Sequence, residues 1–352
     1  MAHESASCGG MAGTTLRINL TTGEIRRHPT DAKLVREWFG GRGTIARILY
    51  DEVPRDADPF GPENLFIMNA GIMSGCFIPA GAKVEFGSIS PLTNGHGDSN
   101  MGGHLGPALK FAGYDMVIMS GISPVPVYLF IDDDTVELRD ASPYWGMGSL
   151  ECEPAMKKDL GEDFEIATIG PAGENGIRFS CITHDFGRQA GRTGQGAVMG
   201  SKKLKAIAVR GTRGIKVHDL DRLTEHVSAI IKRTQTHPNM APWQKYGTAF
   251  FIDWSNVNAV LPTRNFQTTY YENSKGIDGD ALVEKCLITH KACFGCWMNC
   301  GKYTKAVVPG KETVYLEGPE YETGALCGSN LGMTDINQVA YLNWLMDNVG
   351  MD

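Results

Sequence analysis

Cys293, Cys296 and Cys300 place three thiols within eight residues, in the run Lys-Ala-Cys-Phe-Gly-Cys-Trp-Met-Asn-Cys. Thiols at this spacing converge when the chain curls around one point. Thiolates are the groups that hold the irons of an iron–sulfur cluster. Zinc is the competing metal, because His290 precedes Cys293 by three residues and would complete a Cys3His tetrahedron. Either metal calls for a fourth ligand. Cys286 and Cys327 are the nearest cysteines, unless the ligand lies outside this chain. Three unrelated buried thiols are the bland alternative.

Four glycine-rich segments are candidates for loops that face a ligand: 69–75 continuing through 79–83, 99–106, 187–196 and 347–352. Backbone N–H groups together with Lys83, Arg188 and Arg192 suit phosphate oxygens. Asn100 offers an amide oxygen of the kind Mg²⁺ accepts beside phosphates. Tight turns carrying solvated arginines are the ordinary alternative. The chain has no Gly-x-x-x-x-Gly-Lys-Ser/Thr loop, and no Gly-x-Gly-x-x-Gly as a strand-to-helix turn, which weakens nucleotide-fold readings. Asp347 and Asp352 flank a helix C-terminus, where carboxylates oppose the helix dipole unless they accept hydrogen bonds. A ligand rich in N–H donors, such as a pterin ring, would supply these. A helix cap with two solvated aspartates explains them equally well.

The elements that must position these groups divide the chain in two. Its 352 residues suffice for two domains. The net charge of −7, spread without long runs of one sign, argues against nucleic acid or an anionic membrane as partner. No apolar stretch reaches the roughly 18–20 residues of a membrane span. The first residues lack the apolar segment of a signal peptide, Met11 is a second candidate start, and 1–13 read as a disordered tail. An odd count of nine cysteines, three of them clustered, fits metal ligation in a reducing cytoplasm.

Short apolar runs and turn signals from residue 14 to 215 predict strands at 16–20, 65–68, 116–119, 127–131, 136–138, 166–169 and 206–209. Helices are expected at 31–39, opened by Thr30, and at 150–159. Beyond 215 the spacing turns helical, with helices near 220–231 and 335–349. The expected fold class is α+β: a strand-rich N-terminal domain, 14–215, followed by a mainly helical domain, 216–352, that carries the cysteines. The final helix has no closing element after it, so the chain reads as the N-terminal portion of a longer protein.

Segments in order along nearly the whole chain resemble the aldehyde ferredoxin oxidoreductase family. They include Ser90-Pro-Leu-Thr, Asn100-Met-Gly-Gly, the run from Leu109 to Asp115, that from Ile169 to Asn175, and Gly191-Arg-Thr-Gly-Gln-Gly. Leu261-Pro-Thr-Arg-Asn-Phe, the three cysteines, Glu317-Gly-Pro-Glu-Tyr-Glu-Thr and Asp347-x-x-Gly-Met-Asp complete the set. The resemblance implies paired β-sheets cradling a tungsten (or molybdenum) bis-pyranopterin, with a Mg²⁺ and a [4Fe–4S] cluster. It implies that Cys293, Cys296 and Cys300 are cluster ligands. Asn100 and the carbonyl of Gln189 match the Mg²⁺ positions, and Arg188 and Lys83 the phosphate partners. Gly102, Gly191, Arg192, Asp347 and Asp352 match further pterin contacts.

Glu322 aligns with a carboxylate near the metal and is the candidate for acid/base work, against a salt-bridged loop carboxylate; Cys327, five residues on, is a candidate direct metal ligand, against a buried inert thiol. Tyr341 stands where some members place a carboxylate for an interfacial iron, which puts that site, and the homo-oligomer it would serve, in doubt. The implied activity is oxidation of a small aldehyde to an acid, with electrons passed to ferredoxin or an electron-transfer subunit. The alternatives are the tungsten subunit of an ATP-independent benzoyl-CoA reductase, acting on an acyl thioester with His96, His104 and His184 as proton donors, and a non-catalytic remnant or zinc module.

Overall fold

The computed structural model describes residues 9–351. It contains two compact units, one built from residues up to Thr224 together with 347–351, the other from Glu225–Met346. Among the described residues no helix is long and apolar enough to cross a membrane.

In the first unit the chain runs β1 (Thr14–Asn19), β2 (Glu24–Pro29), α1 (Ala32–Trp38), α2 (Gly41–Glu52), β3 (Phe66–Ala70), β4 (Val84–Ile89), β5 (His96–Met101), α3 (Leu105–Phe111) and β6 (Tyr114–Ser120). It continues through β7 (Val127–Asp132), β8 (Thr135–Asp140), α4 (Ser149–Leu160), β9 (Glu165–Thr168), α5 (Pro171–Glu174), β10 (Ile182–His184), β11 (Arg188–Ala190), α6 (Gln195–Ser201) and β12 (Leu204–Arg210). Two six-stranded sheets result, in the orders β2-β1-β6-β3-β4-β5 and β11-β10-β9-β12-β7-β8. Each is antiparallel except for one parallel pair, β1 with β6 and β12 with β7.

Period-2 alternation decides which side chains enter the shared core. Leu16 and Ile18 of β1, Val117 and Met119 of β6, Leu129 and Ile131 of β7 and Ile207 and Val209 of β12 meet in one cluster with α3 and α6. The opposite faces are also covered. Met116 and Ile118 pack under Ile45, Ile48 and Leu49 of α2, and Tyr128 and Phe130 pack with Cys152 and Met156 of α4. Both sheets are therefore buried on two faces at their centres, which is why their strands read as continuous apolar runs. The helix–sheet–sheet–helix layering agrees with the α+β class and the paired sheets expected from the sequence.

Buried charge fixes the start of this unit. Lys110 and Asp115 form an ion pair of 2.5 Å at 1% and 6% side-chain exposure. Asp115 also accepts from the N–H groups of Ala12 (2.8 Å) and Gly13 (2.7 Å) and from the Thr30 hydroxyl (2.8 Å), and Lys110 donates to Gly10 O (2.8 Å). Residues 1–8 lie outside the described residues. Residues 9–13, expected in a disordered tail, are instead tied down because Asp115 offers acceptors for their backbone. The same network corrects the start of α1: Thr30 is occupied by Asp115, and Asp31 is the N-cap, accepting from Lys33 N at 2.8 Å and Leu34 N at 3.1 Å.

α7 (Leu220–Gln235) contains the division between the units. The second unit then comprises α8 (Met240–Tyr246), α9 (Phe250–Val257), α10 (Gly279–Lys285), β13 (Leu287–Lys291), β14 (Gly301–Ala306), β15 (Val314–Glu317), α11 (Tyr321–Thr323) and most of α12 (Ile336–Val349). Its helices enclose Ile252, Leu261, Tyr271, Ile277, Leu282 and Val339. An antiparallel sheet β13-β14-β15 was not expected here. Three of the five β13 residues are exposed, so that strand lacks the apolar alternation that reveals a strand in sequence.

Replacing Asp115 with Ala leaves Lys110 buried without its counter-charge and frees residues 9–13. The expected cost is about 3–5 kcal/mol in chemical denaturation, with new proteolytic cleavage in the released segment.

Candidate functional site

β5 is the last strand of one sheet and β11 the last strand of the other, and the two edges meet. Side chains join the β4–β5 hairpin to the segment that follows β11. Ser88 Oγ donates to Gln195 Oε1 (2.9 Å), Gln195 Nε2 to Gly97 O (3.2 Å), Ser90 Oγ to Thr193 O (2.8 Å) and Thr193 Oγ1 to Asp98 O (3.2 Å). Gly194 is required in this seam: its φ is +77°, and a Cβ there would lie 2.0 Å from Arg178 O. An open cavity of about 420 Å³ remains beside the seam, lined by Arg42, Asp98, Ser99, Asn100, Gln189, Gly191 and Arg192.

Four sequence-predicted residues, Asn100, Gln189, Gly191 and Arg192, thus share one cavity. Asn100 is on β5, opposite Glu85 of β4. Gln189 is on β11; its Oε1 accepts from Thr183 Oγ1 at 2.9 Å, while its Nε2 is buried without a hydrogen-bond partner. Arg192 is exposed and makes no ion pair among the described residues. The other predictions fall outside the lining. Lys83 is exposed just before β4. Gly102 is buried just after β5. Arg188 is half-buried on β11, with Nε 3.2 Å from Asp185 Oδ2. Asp347 is buried in the first unit, its carbonyl accepting from Ser149 Oγ. Asp352 lies outside the described residues.

Arg42 and Asp98 are cavity residues that spacing did not single out. Arg42 Nε binds Asp98 Oδ2 at 2.5 Å, and its NH2 lies 3.7 Å from Glu85 Oε1. His96 Nε2 is 3.7 Å from the other Asp98 oxygen. Burial, then the hydrogen-bonded Asp98 carboxylate, pushes the Glu85 carboxyl up to about 7, with Arg42 acting in the other direction.

His184 is fully buried, with Nδ1 3.0 Å from Ile166 O and Nε2 accepting from His104 N at 3.4 Å. Its ring is held on both sides by backbone.

In the second unit the cysteines occupy the loop between β13 and β14, closed by the pair Lys291↔Gly301. Gly295 and Asn299 adopt left-handed φ of 64° and 57°, which curls the loop, and Cys296 N donates to Cys293 O at 3.1 Å. The buried Lys302 Nζ donates to Cys300 O at 2.8 Å and fixes the end of the loop. Among the described residues, no three His, Cys, Asp or Glu side chains converge on a single metal ion. His290, the fourth ligand of the zinc alternative, is exposed on β13. Cys286 is a core thiol pushed up to about 11 by burial. Glu322 is exposed in α11, and a π-helical segment, Gly324–Gly328, follows it and contains Cys327. Such π turns occur preferentially at functional sites. Tyr341 packs on Trp344, with ring centroids 5.8 Å apart.

Two family models match this chain: the aldehyde ferredoxin oxidoreductase N-terminal domain over residues 15–211, and domains 2 and 3 of the same enzymes over 225–352. The chain belongs to the aldehyde ferredoxin oxidoreductase family.

It is 41% identical to the tungsten-containing aldehyde ferredoxin oxidoreductase of Thermococcus kodakarensis, over 97% of this chain and 56% of that protein. It is 31% identical to a WOR-like subunit of an aliphatic sulfonate oxidoreductase from Pyrococcus furiosus, over 97% of this chain and 57% of the relative. Among solved structures it resembles the active-site complex BamBC of benzoyl coenzyme A reductase with 1,5-dienoyl-CoA. That match has a TM-score of 0.85 and 30% identity, over 98% of this chain and 54% of the other. The chain spans about half the length of the curated relatives it matches.

A pterin phosphate group needs cations and N–H donors. The cavity presents Arg42, Arg192 and the unpaired Gln189 amide, so its donor set fits. Three thiols on one curled loop are the donor chemistry of a cluster, whose sulfur ligands stand around several irons instead of gripping one.

A pH experiment checks the Glu85 environment. From pH 4.5 to about 7 the folded chain keeps a proton on Glu85 that the unfolded chain has released. Stability therefore falls as pH rises across that window and levels off above it. Glu85→Gln should remove about 1–2 kcal/mol of this fall in urea titrations at stepped pH.

Proposed function

We propose that this chain works in a tungsten-dependent oxidoreductase of the cytoplasm that converts an aldehyde to a carboxylic acid. Its electrons pass through a [4Fe–4S] cluster to ferredoxin or an electron-transfer subunit. The gathering of Asn100, Gln189, Gly191 and Arg192 around one cavity at the joined sheet edges is the observation that carries this reading.

In this proposal Asn100 and the Gln189 carbonyl hold a Mg²⁺ beside the cofactor phosphates. Arg192, Arg188 and Lys83 are their cationic partners. Gly102 and Gly191 let backbone approach the cofactor, and Asp347 and Asp352 accept from the pterin ring. Cys293, Cys296 and Cys300 hold the cluster. When bound, the metal–pterin group supplies the two-electron oxidation itself.

The protein's share is placement and proton transfer. Aldehyde plus water gives acid, two electrons and two protons. Glu322, exposed in α11, takes up a proton at its carboxylate in this proposal. Glu322→Gln should lower turnover by about 100-fold or more while tungsten and iron per chain stay unchanged; wild-type rates would remove Glu322 from the mechanism.

A second reading is favoured by the 0.85 TM-score to the benzoyl coenzyme A reductase complex. In it the chain reduces an aromatic thioester and works with partner subunits. Anaerobic expression with tungstate, followed by elemental analysis for W, Mo, Fe and Zn, tests the shared cofactor. Tungsten with iron is expected, whereas zinc alone would overturn both readings. Assays with aldehydes and with aryl-CoA thioesters then separate them, and turnover of the thioester alone would replace the aldehyde reading.

A further inference from the structure

The cavity lacks part of the cationic set that the sequence assigned to it. Of Lys83, Arg188 and Arg192, only Arg192 lines it, and Arg42 stands in the lining instead. We propose that Arg42 is a phosphate-binding residue of this cavity, anchored by Asp98 and presented by a glycine-built turn at the start of α2. The assignment rests on the cofactor reading above and adds a residue to it.

Three observations carry it. Arg42 is bound through Nε to Asp98 at 2.5 Å, while its NH2 is 3.7 Å from Glu85, beyond hydrogen-bonding distance. A guanidinium has five N–H donors in a fixed fork, so this anchoring fixes its plane and leaves donors for a guest. The turn before it is unusual: Gly40 and Gly41 have φ of +69° and +48°, and a Cβ on Gly40 would lie 2.9 Å from the Ile72 side chain. Two consecutive left-handed residues place Arg42 in the first turn of a twelve-residue helix, whose N-terminal N–H groups and dipole also favour an anion. The buried Gln189 Nε2 in the same lining has no acceptor. An anion with several oxygens answers both the guanidinium and the amide. The Asp98 carboxylate also lines the cavity, and the Arg42 contact offsets its charge.

The test is calorimetric titration of the full 352-residue chain, freed of cofactor, with magnesium pyrophosphate. Arg42→Gln should weaken binding about ten-fold or more, as expected for a lost charge-assisted hydrogen bond. Arg192→Gln should also weaken it, and Arg42→Lys should recover only part of the loss, since a point charge replaces the fork. Arg17→Gln removes the same charge from a side chain paired with Glu52 outside this cavity, and should bind like the parent. Arg42 is 61% exposed, so its variants should keep the parent's melting curve and circular dichroism.

Parent-like affinity in Arg42→Gln with a loss in Arg192→Gln would overturn the role of Arg42 and leave the anion site standing. An equal loss in Arg17→Gln would reduce the effect to net charge and overturn the proposal. No pyrophosphate binding by the unaltered chain would overturn the proposal and the phosphate reading together.

Discussion

An edge strand carries a row of backbone N–H and C=O groups that must find partners. In the first unit two such edges, β5 and β11, are brought together without forming a continuous sheet. Thr193 and Gln195, just after β11, donate to Asp98 O and Gly97 O of β5, and Ser88 and Ser90, at the end of the neighbouring β4, donate to Gln195 Oε1 and Thr193 O. A ladder would set the strands about 4.8 Å apart and leave no room between them. Side-chain bridging on one side leaves a gap on the other, and that gap is the cavity. Asn100 and Gln189 face the same space because their strands end their sheets, which follows from topology more than from either residue's local sequence.

The shared apolar core holds this seam in place. Leu16, Val117, Ile131 and Ile207 are among the side chains that the two sheets contribute to one cluster. A one-residue slip would drive side chains packed under α2 or α4 into the shared core and the reverse, and close packing on both faces resists that exchange. The rigidity that places the edges is therefore the rigidity of the core. A cluster of polar loops alone would not hold the gap open at a fixed width.

The central strands of this unit were legible because they are short apolar runs bounded by turn signals, as 65–68 and 206–209 show, whereas the edge strands β5 and β11, which carry Asn100 and Gln189, are mostly polar and were not predicted. The helical spacing of Leu220 to Ile231 was equally plain. β13 was not, because an edge strand with three of its five residues exposed leaves no periodic trace, and β14, though central and mostly buried, reads Gly-Lys-Tyr-Thr-Lys-Ala without apolar alternation. The glycine segments drew attention to Asn100 and Arg192, and the family resemblance to Gln189 and Gly191; the structure gathers these four around one cavity. Arg42 escaped notice because its signal is geometric: a single arginine behind two left-handed glycines, more than fifty residues from β5 in sequence. Asp115 and Lys110, in a segment that carried the family resemblance, serve the fold by gathering the start of the chain.

Buried charge behind the cavity is best understood as positioning. Burial pushes the Glu153 carboxyl above the usual carboxylate range, with His184 and Lys157 acting against it. Its Oε2 accepts from Phe186 N at 3.3 Å, within a turn where Asp185 and Phe186 have left-handed φ of 53° and 62°. Arg188 Nε reaches back to Asp185 at 3.2 Å. Such φ values are costly for residues with side chains and persist only where surroundings over-determine them. The turn leads directly into β11, so whatever holds 185–188 also sets Gln189. Both nitrogens of His184 lie against backbone, Nδ1 at Ile166 O and Nε2 at His104 N, and Nε2 is also 3.5 Å from Glu165 Oε2, so the ring is fixed from several sides. A histidine that the sequence offers as a proton donor is here part of the frame. The chemistry is left to groups on the cavity side, whose positions that frame determines.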